Sequence, residues 1–172
     1  TAWEWVPVVT ARERGVIEKE AESEGIKDFS IWQWDISGAN SQKAKVLASG
    51  RDTFYPVLYA TPYEGNYGAI GFDLGSEPVR RSAIEESFRT GMLTATDPVK
   101  LVQEKDSHKG MLIFRPLYFD SEHKKPRGLI SAALCLDDIL QTTTPDTIVI
   151  KELFLMDNDG KLASLALSAP ER

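Results

Sequence analysis

The sequence predicts an α+β fold, an antiparallel sheet carrying a layer of helix, and three observations predict it. One amphipathic helix, about Glu77 to Arg89, sits mid-chain between short runs rich in aromatic and β-branched residues. After it, Thr94 to Gln103, Gly110 to Tyr118 and Gly128 to Leu136 read as three strands, the last two antiparallel across the charged loop Phe119 to Arg127. No internal repeat or low-complexity segment points to a solenoid or a disordered chain.

Taken in order, Trp3 to Glu24 reads as a helix entered at Pro7 and left at Gly25, with Val8, Val9, Val16 and Ile17 on its apolar side. Phe29 to Asp35 is a short aromatic strand in which Trp32 and Trp34 share a face; filling core is favoured for them over lining a ligand. A polar turn-rich stretch through Ser37, Gly38, Asn40 and Ser41 follows, and Lys43 to Arg51 connects without a motif. Phe54 to Ala60 is strand-like, but Pro56 lacks a donor and places an edge or a bulge there.

The central helix has Ser76 as its expected N-cap, Pro78 in its first turn and Gly91 at its left-handed stop. Val79, Ala83, Ile84, Ser87 and Phe88 fill one half of its wheel, and Arg80 falls in the middle of that apolar half. A guanidinium placed there must find an acceptor, because an unpaired buried charge is too costly to keep.

Length and charge narrow the function. At 172 residues the chain can bury roughly two thirds of its unfolded surface, so no disulfide or metal is required to hold it. A net charge of -6 argues against nucleic acid. The one basic cluster, His123, Lys124, Lys125 and Arg127, reads as a solvated loop. The longest apolar run, Leu129 to Leu136, is far short of the roughly 20 residues that span a bilayer. Cys135 is the only cysteine and reads as a small buried hydrophobe.

No catalytic, metal or cofactor chemistry is expected. Asp157-Asn158-Asp159-Gly160 has Ser168 where a calcium loop needs its terminal acidic ligand, so it reads as a turn, and His108 and His123 lack partners at ligand spacing. Gly65 to Gly71 does not open directly onto a helix, as a dinucleotide loop must. Asp73 and Glu77 flank a helix cap, where carboxylates are ordinarily structural. What remains is a binding pocket: Tyr59, Tyr63, Tyr67 and Phe72 gather aromatics before the helix, and Arg80 is either a ligand contact or the partner of Glu77 or Asp73.

The run YPVLYATPYEGNYGAIGFDLGSEPVR from Tyr55, then TGMLTATDPVKLVQE, GMLIFRPLY and GLISAALCLDDIL, resembles the CHASE domain, a sensory module of receptor histidine kinases and nucleotide cyclases. The resemblance implies a PAS-like fold: an N-terminal helix over 1–28, a distal ligand-binding domain over 29–140 and part of a membrane-proximal unit over 141–172. It also implies a periplasmic or extracellular position, a homodimeric receptor, and membrane attachment only through helices flanking this chain.

In plant cytokinin receptors of that family the position matching Arg80 is an aspartate that binds the adenine ring. Arg80 has the opposite charge and only donors, which argues against cytokinin and for an anionic or acceptor-rich small molecule held bidentately. The same positional match brings Thr96, Val102, Phe114, Leu129 and Ala132 to the pocket, with Thr96 supplying a hydroxyl and Ala132 a shallower floor. Asp73 and Leu74 complete the expected set. Two other functions compete with this one: an interaction module with a collapsed pocket, and a remote one, a small hydrolase using Asp73 or Glu77.

Overall fold

The computed structural model describes residues 1–35, 44–102, 109–135, 153–156 and 162–165. In chain order its elements begin with β1 (Ala2–Pro7), β2 (Val9–Thr10), α1 (Arg14–Ser23), β3 (Trp32–Trp34), β4 (Lys45–Leu47), β5 (Thr53–Phe54) and β6 (Tyr59–Thr61). Then come α2 (Pro78–Thr90), β7 (Thr94–Ala95), β8 (Val99–Lys100), β9 (Lys109–Tyr118), β10 (Pro126–Cys135), β11 (Leu153–Met156) and β12 (Leu162–Leu165). The fold is α+β, with an antiparallel sheet ordered β6-β1-β10-β9-β7 and β8 also paired to β9.

The first expected helix is the main correction. Ala2–Pro7 is a strand at the heart of the sheet, paired to β10 over Ala2↔Ala133 through Pro7↔Gly128 and to β6 over Trp3↔Thr61 through Trp5↔Tyr59. Its burial alternates as a strand's must: Ala2, Glu4 and Val6 turn inward while Trp3 is exposed. The helix is confined to Arg14–Ser23. A Thr10-x-x-Glu13 box precedes it, in which Thr10 Oγ1 donates to Glu13 Oε2 at 2.6 Å and the Glu13 N–H donates to Thr10 Oγ1 at 3.4 Å. Two residues of strand-compatible valine beside Pro7 resembled a helix start because the pairing partners lie far along the chain.

Two cores result. Helix α1 covers Val9, Phe29, Ile31, Ala48 and Phe54, and Arg14 ties them by donating to the carbonyls of Ala48 at 2.6 Å and Ile31 at 2.7 Å. The larger core lies between α2 and the inner face of the sheet, with Val6, Val57, Phe72, Leu74, Ile84, Leu112, Phe114 and Leu129 all buried. Trp32 belongs to it, packed edge-on against Trp34 with ring centroids 4.9 Å apart, as strand alternation predicts.

Other elements are shorter than expected. The run from Phe54 to Ala60 is interrupted, and Pro56 makes only an isolated bridge to Asp73, as a residue without an N–H must be accommodated. Thr94 to Gln103 splits into β7 and β8, and Gln103 lies outside the described residues. The expected turn at Asp157 to Gly160, together with His108, also lies outside them. Leu153–Met156 and Leu162–Leu165 pair antiparallel. Among the described residues no helix is long and apolar enough to cross a membrane.

Candidate functional site

Helix α2 owes its position to its two ends. Glu77, not Ser76, is the N-cap: its carboxylate accepts from the N–H groups of Val79 and Arg80, both at 3.2 Å, while Ser76 Oγ turns back to donate to the Asp73 carbonyl at 2.6 Å. Gly91 closes the helix with φ 70°, a left-handed conformation that glycine adopts without penalty. So fixed, the helix lays Arg80, Ala83, Ile84 and Ser87 against the sheet.

Arg80 is 4% exposed, which is the burial its place on the wheel requires. Its Nη1 donates to Glu77 Oε2 at 3.2 Å, its Nη2 to the Lys100 carbonyl at 2.6 Å, and its guanidinium lies 5.7 Å from the Phe72 ring centroid. Its Nε has no hydrogen-bond partner among the described residues. Each terminal nitrogen thus holds one protein acceptor with one of its two N–H groups, and Nε holds none. Burial pulls its pKa down, and the charge and hydrogen bond of Glu77 and then the charge of Glu4 push it back up.

Glu4 is the residue that sequence reasoning missed. It projects from β1 onto the same inner face, 4% exposed, opposite Ser131 of β10. Neither Glu4 Oε2 nor Ser131 Oγ has a hydrogen-bond partner among the described residues. Burial raises the Glu4 pKa to about 7, and the Ser131 hydroxyl opposite it and the charge of Arg80 both oppose the rise. Glu4 and Arg80 line one cavity with Val57, Phe72, Leu101 and Leu112, and its free volume is about 10 Å³, room for about one water. The signal was present in Ala2-Trp3-Glu4-Trp5-Val6, whose alternation puts a glutamate in the phase of the buried residues, but reading the segment as helix concealed it.

The other expected site residues divide. Phe72, Leu74 and Val102 line this cavity with Arg80, while Phe114 and Leu129 are buried in the surrounding core. Asp73 is fully buried beside it, accepting from the N–H of Tyr55 at 2.8 Å and of Gly75 at 3.0 Å and paired with Arg51 at 2.5 Å, so it builds the turn. Thr96 Oγ1 accepts from the Leu112 N–H at 3.1 Å; its hydroxyl is engaged with β9, and the residue borders an open groove beside Val79 and Ser82.

Ala132 and Tyr59 are on the wrong side of the sheet. Ala132 pairs with Trp3 and Ile113, the phase opposite to Leu129, Ser131 and Ala133, so it cannot floor the cavity. Tyr59 pairs with Trp5 on that outer face, is 42% exposed and donates its hydroxyl to Glu24. Tyr63 and Tyr67 form an exposed pair, ring centroids 6.4 Å apart, away from Arg80. Among the described residues no cluster of His, Cys, Asp and Glu could hold a metal ion.

The arrangement, a buried cation and a buried carboxyl facing a small cavity under a helix, can bind a small polar group. Comparison with curated proteins gives no match. A family model described as the CHASE domain matches residues 1–165, spanning the sheet, α2 and the cavity between them. The chain belongs to the CHASE domain family, the extracellular sensory domains of signalling receptors.

Proposed function

We propose that this domain senses a small molecule outside the cytoplasm for a transmembrane receptor whose output is a histidine kinase or a nucleotide or diguanylate cyclase. The cavity between α2 and the inner sheet face is its ligand site. One observation carries the reading: Arg80 Nε, Glu4 Oε2 and Ser131 Oγ are all buried and all without partners among the described residues. Orphaned polar atoms in a core each cost about 1–3 kcal/mol, and a ligand or ordered water that satisfies them recovers that cost.

The mechanism follows from the cavity's size. About 10 Å³ admits no ligand larger than about a water, so occupancy requires α2 or the Phe72–Leu74 segment to retreat from the sheet. A ligand that prefers the widened arrangement shifts the population toward it, and equal affinity for both would shift nothing. In a homodimeric receptor attached through flanking helices, with 141–172 as part of a membrane-proximal PAS-like unit, that shift is the signal.

A thermal-shift screen against adenine derivatives, small carboxylates, amino acids and inorganic anions tests it. A ligand at about 100 times its dissociation constant adds about 2.7 kcal/mol of stability. A compound that stabilises the native domain and loses its effect in folded Arg80→Lys or Arg80→Ala supports the site. The small free volume also favours a second reading, an interaction module with a filled core; absence of any stabilising compound, with dimerisation of the isolated domain in sedimentation, would establish that one instead.

A further inference from the structure

Resting on the sensor reading, we propose that Glu4 is the second recognition residue of the cavity and that the ligand is a small zwitterion with an apolar body, its carboxylate taken by Arg80 and its ammonium group by Glu4. The argument is one of charge and of free valences. Nε of Arg80 is the guanidinium nitrogen without a partner, while Nη1 and Nη2 each already give one N–H, to Glu77 and to the Lys100 carbonyl. Two carboxyl groups, Glu77 on α2 and Glu4 on β1, already act on this one guanidinium. With Glu4 ionised, as at pH 8, a plain anion would bring a third negative group to a single cation.

A zwitterion leaves that balance unchanged. Its carboxylate meets the free Nε–H, and its ammonium group offers donors to Glu4 Oε2, which is 4% exposed and unpartnered. Ser131 Oγ, opposite Glu4, can accept from the same ammonium group or donate to the carboxylate. Among the described residues no other charge lines the cavity: Asp73, buried in the turn before α2, is held by Arg51, and β10 presents Ser131, Leu129 and Ala133 to this face. The remaining walls, Val57, Phe72, Leu74, Leu101 and Leu112, are apolar and suit an aliphatic body.

The test compares compounds that differ by one charged group. L-alanine, L-valine and L-leucine are set against isovalerate, which lacks the ammonium group, and isoamylamine, which lacks the carboxylate, each at up to about 10 mM in thermal shift and calorimetry at pH 8. The expected result is stabilisation by one or more of the amino acids and by neither analogue. In Glu4→Gln, shown folded by circular dichroism, the amino-acid affinity should fall at least about tenfold.

Isovalerate binding as well as leucine, dependent on Arg80, would overturn the zwitterion and leave the anion sensor standing. The zwitterion is equally overturned if all five fail while another compound of the wider screen binds through Arg80. If no compound of either set binds, the sensor reading falls together with this inference. Unchanged amino-acid affinity in Glu4→Gln would remove Glu4 from the site.

Discussion

Glu4 and Ser131 face each other across β1 and β10 on the buried side of the sheet, and neither Glu4 Oε2 nor Ser131 Oγ has a hydrogen-bond partner among the described residues. A carboxyl so placed prefers its neutral form, which is why the Glu4 pKa rises to about 7 against an ordinary 4.5. Because the folded state holds this proton more tightly than the unfolded chain, the contribution is fully present below pH 4.5 and is lost as pH rises to about 7. The loss amounts to about 3 kcal/mol.

Urea unfolding between pH 5 and 8 checks this. Stability of the native domain should fall across that window, whereas Glu4→Gln, neutral throughout, should hold a flatter profile and exceed the native domain at pH 8 by about 2–3 kcal/mol. Parallel profiles for the two proteins would refute the assignment.

Gly110 keeps the cavity wall in place. A Cβ there would lie 2.3 Å from Leu101 Cγ and 2.6 Å from its Cδ1, and Leu101 lines the cavity. Gly110→Ala should destabilise by about 1–3 kcal/mol, as overpacking does, and should blunt any ligand-induced thermal shift. A melt unchanged from the native one would show that Leu101 can move aside freely.

Glu77 has two tasks that two substitutions separate. Glu77→Ala removes the N-cap and the partner of Arg80, and should cost about 2–4 kcal/mol. Glu77→Ser restores a capping oxygen but not the ion pair, and should recover about 1 kcal/mol. Equal losses in chemical denaturation would mean that only the ion pair matters.

Asp73 should prove structural. Asp73→Ala strands two N–H groups and Arg51 and is expected to cost about 3–5 kcal/mol. Asp73→Asn, which keeps an acceptor for the N–H groups of Tyr55 and Gly75, should cost clearly less. A loss of ligand response without loss of stability would instead put Asp73 in the site.

Much of the centre of the chain was legible in order. The stop of α2 at Gly91 and the burial of Arg80 follow from residues within a few positions of one another. So does the β9–β10 hairpin, with a loop in which Asp120 accepts from the N–H groups of Lys124 at 3.0 Å and Lys125 at 2.8 Å. The N-cap was missed by one residue because Ser76 and Glu77 are both competent acceptors; the turn fixed by Asp73 decides between them by occupying the Ser76 hydroxyl.

By itself, then, the sequence determined the α+β class, the family, the central helix with its inward guanidinium, and the aromatic strand whose Trp32 enters the core. Only the tertiary structure decided that Ala2–Pro7 is a strand, that Glu4 shares a cavity with Arg80, and that Ala132 and Tyr59 face away from it. The physical reason is range. Caps, turns and helix faces are set by local sterics and hydrogen bonds, while the face a strand residue occupies depends on the register it adopts with partners distant in sequence. Six residues such as AWEWVP carry too short a period to choose between helix and strand until β10 and β6 supply the hydrogen bonds.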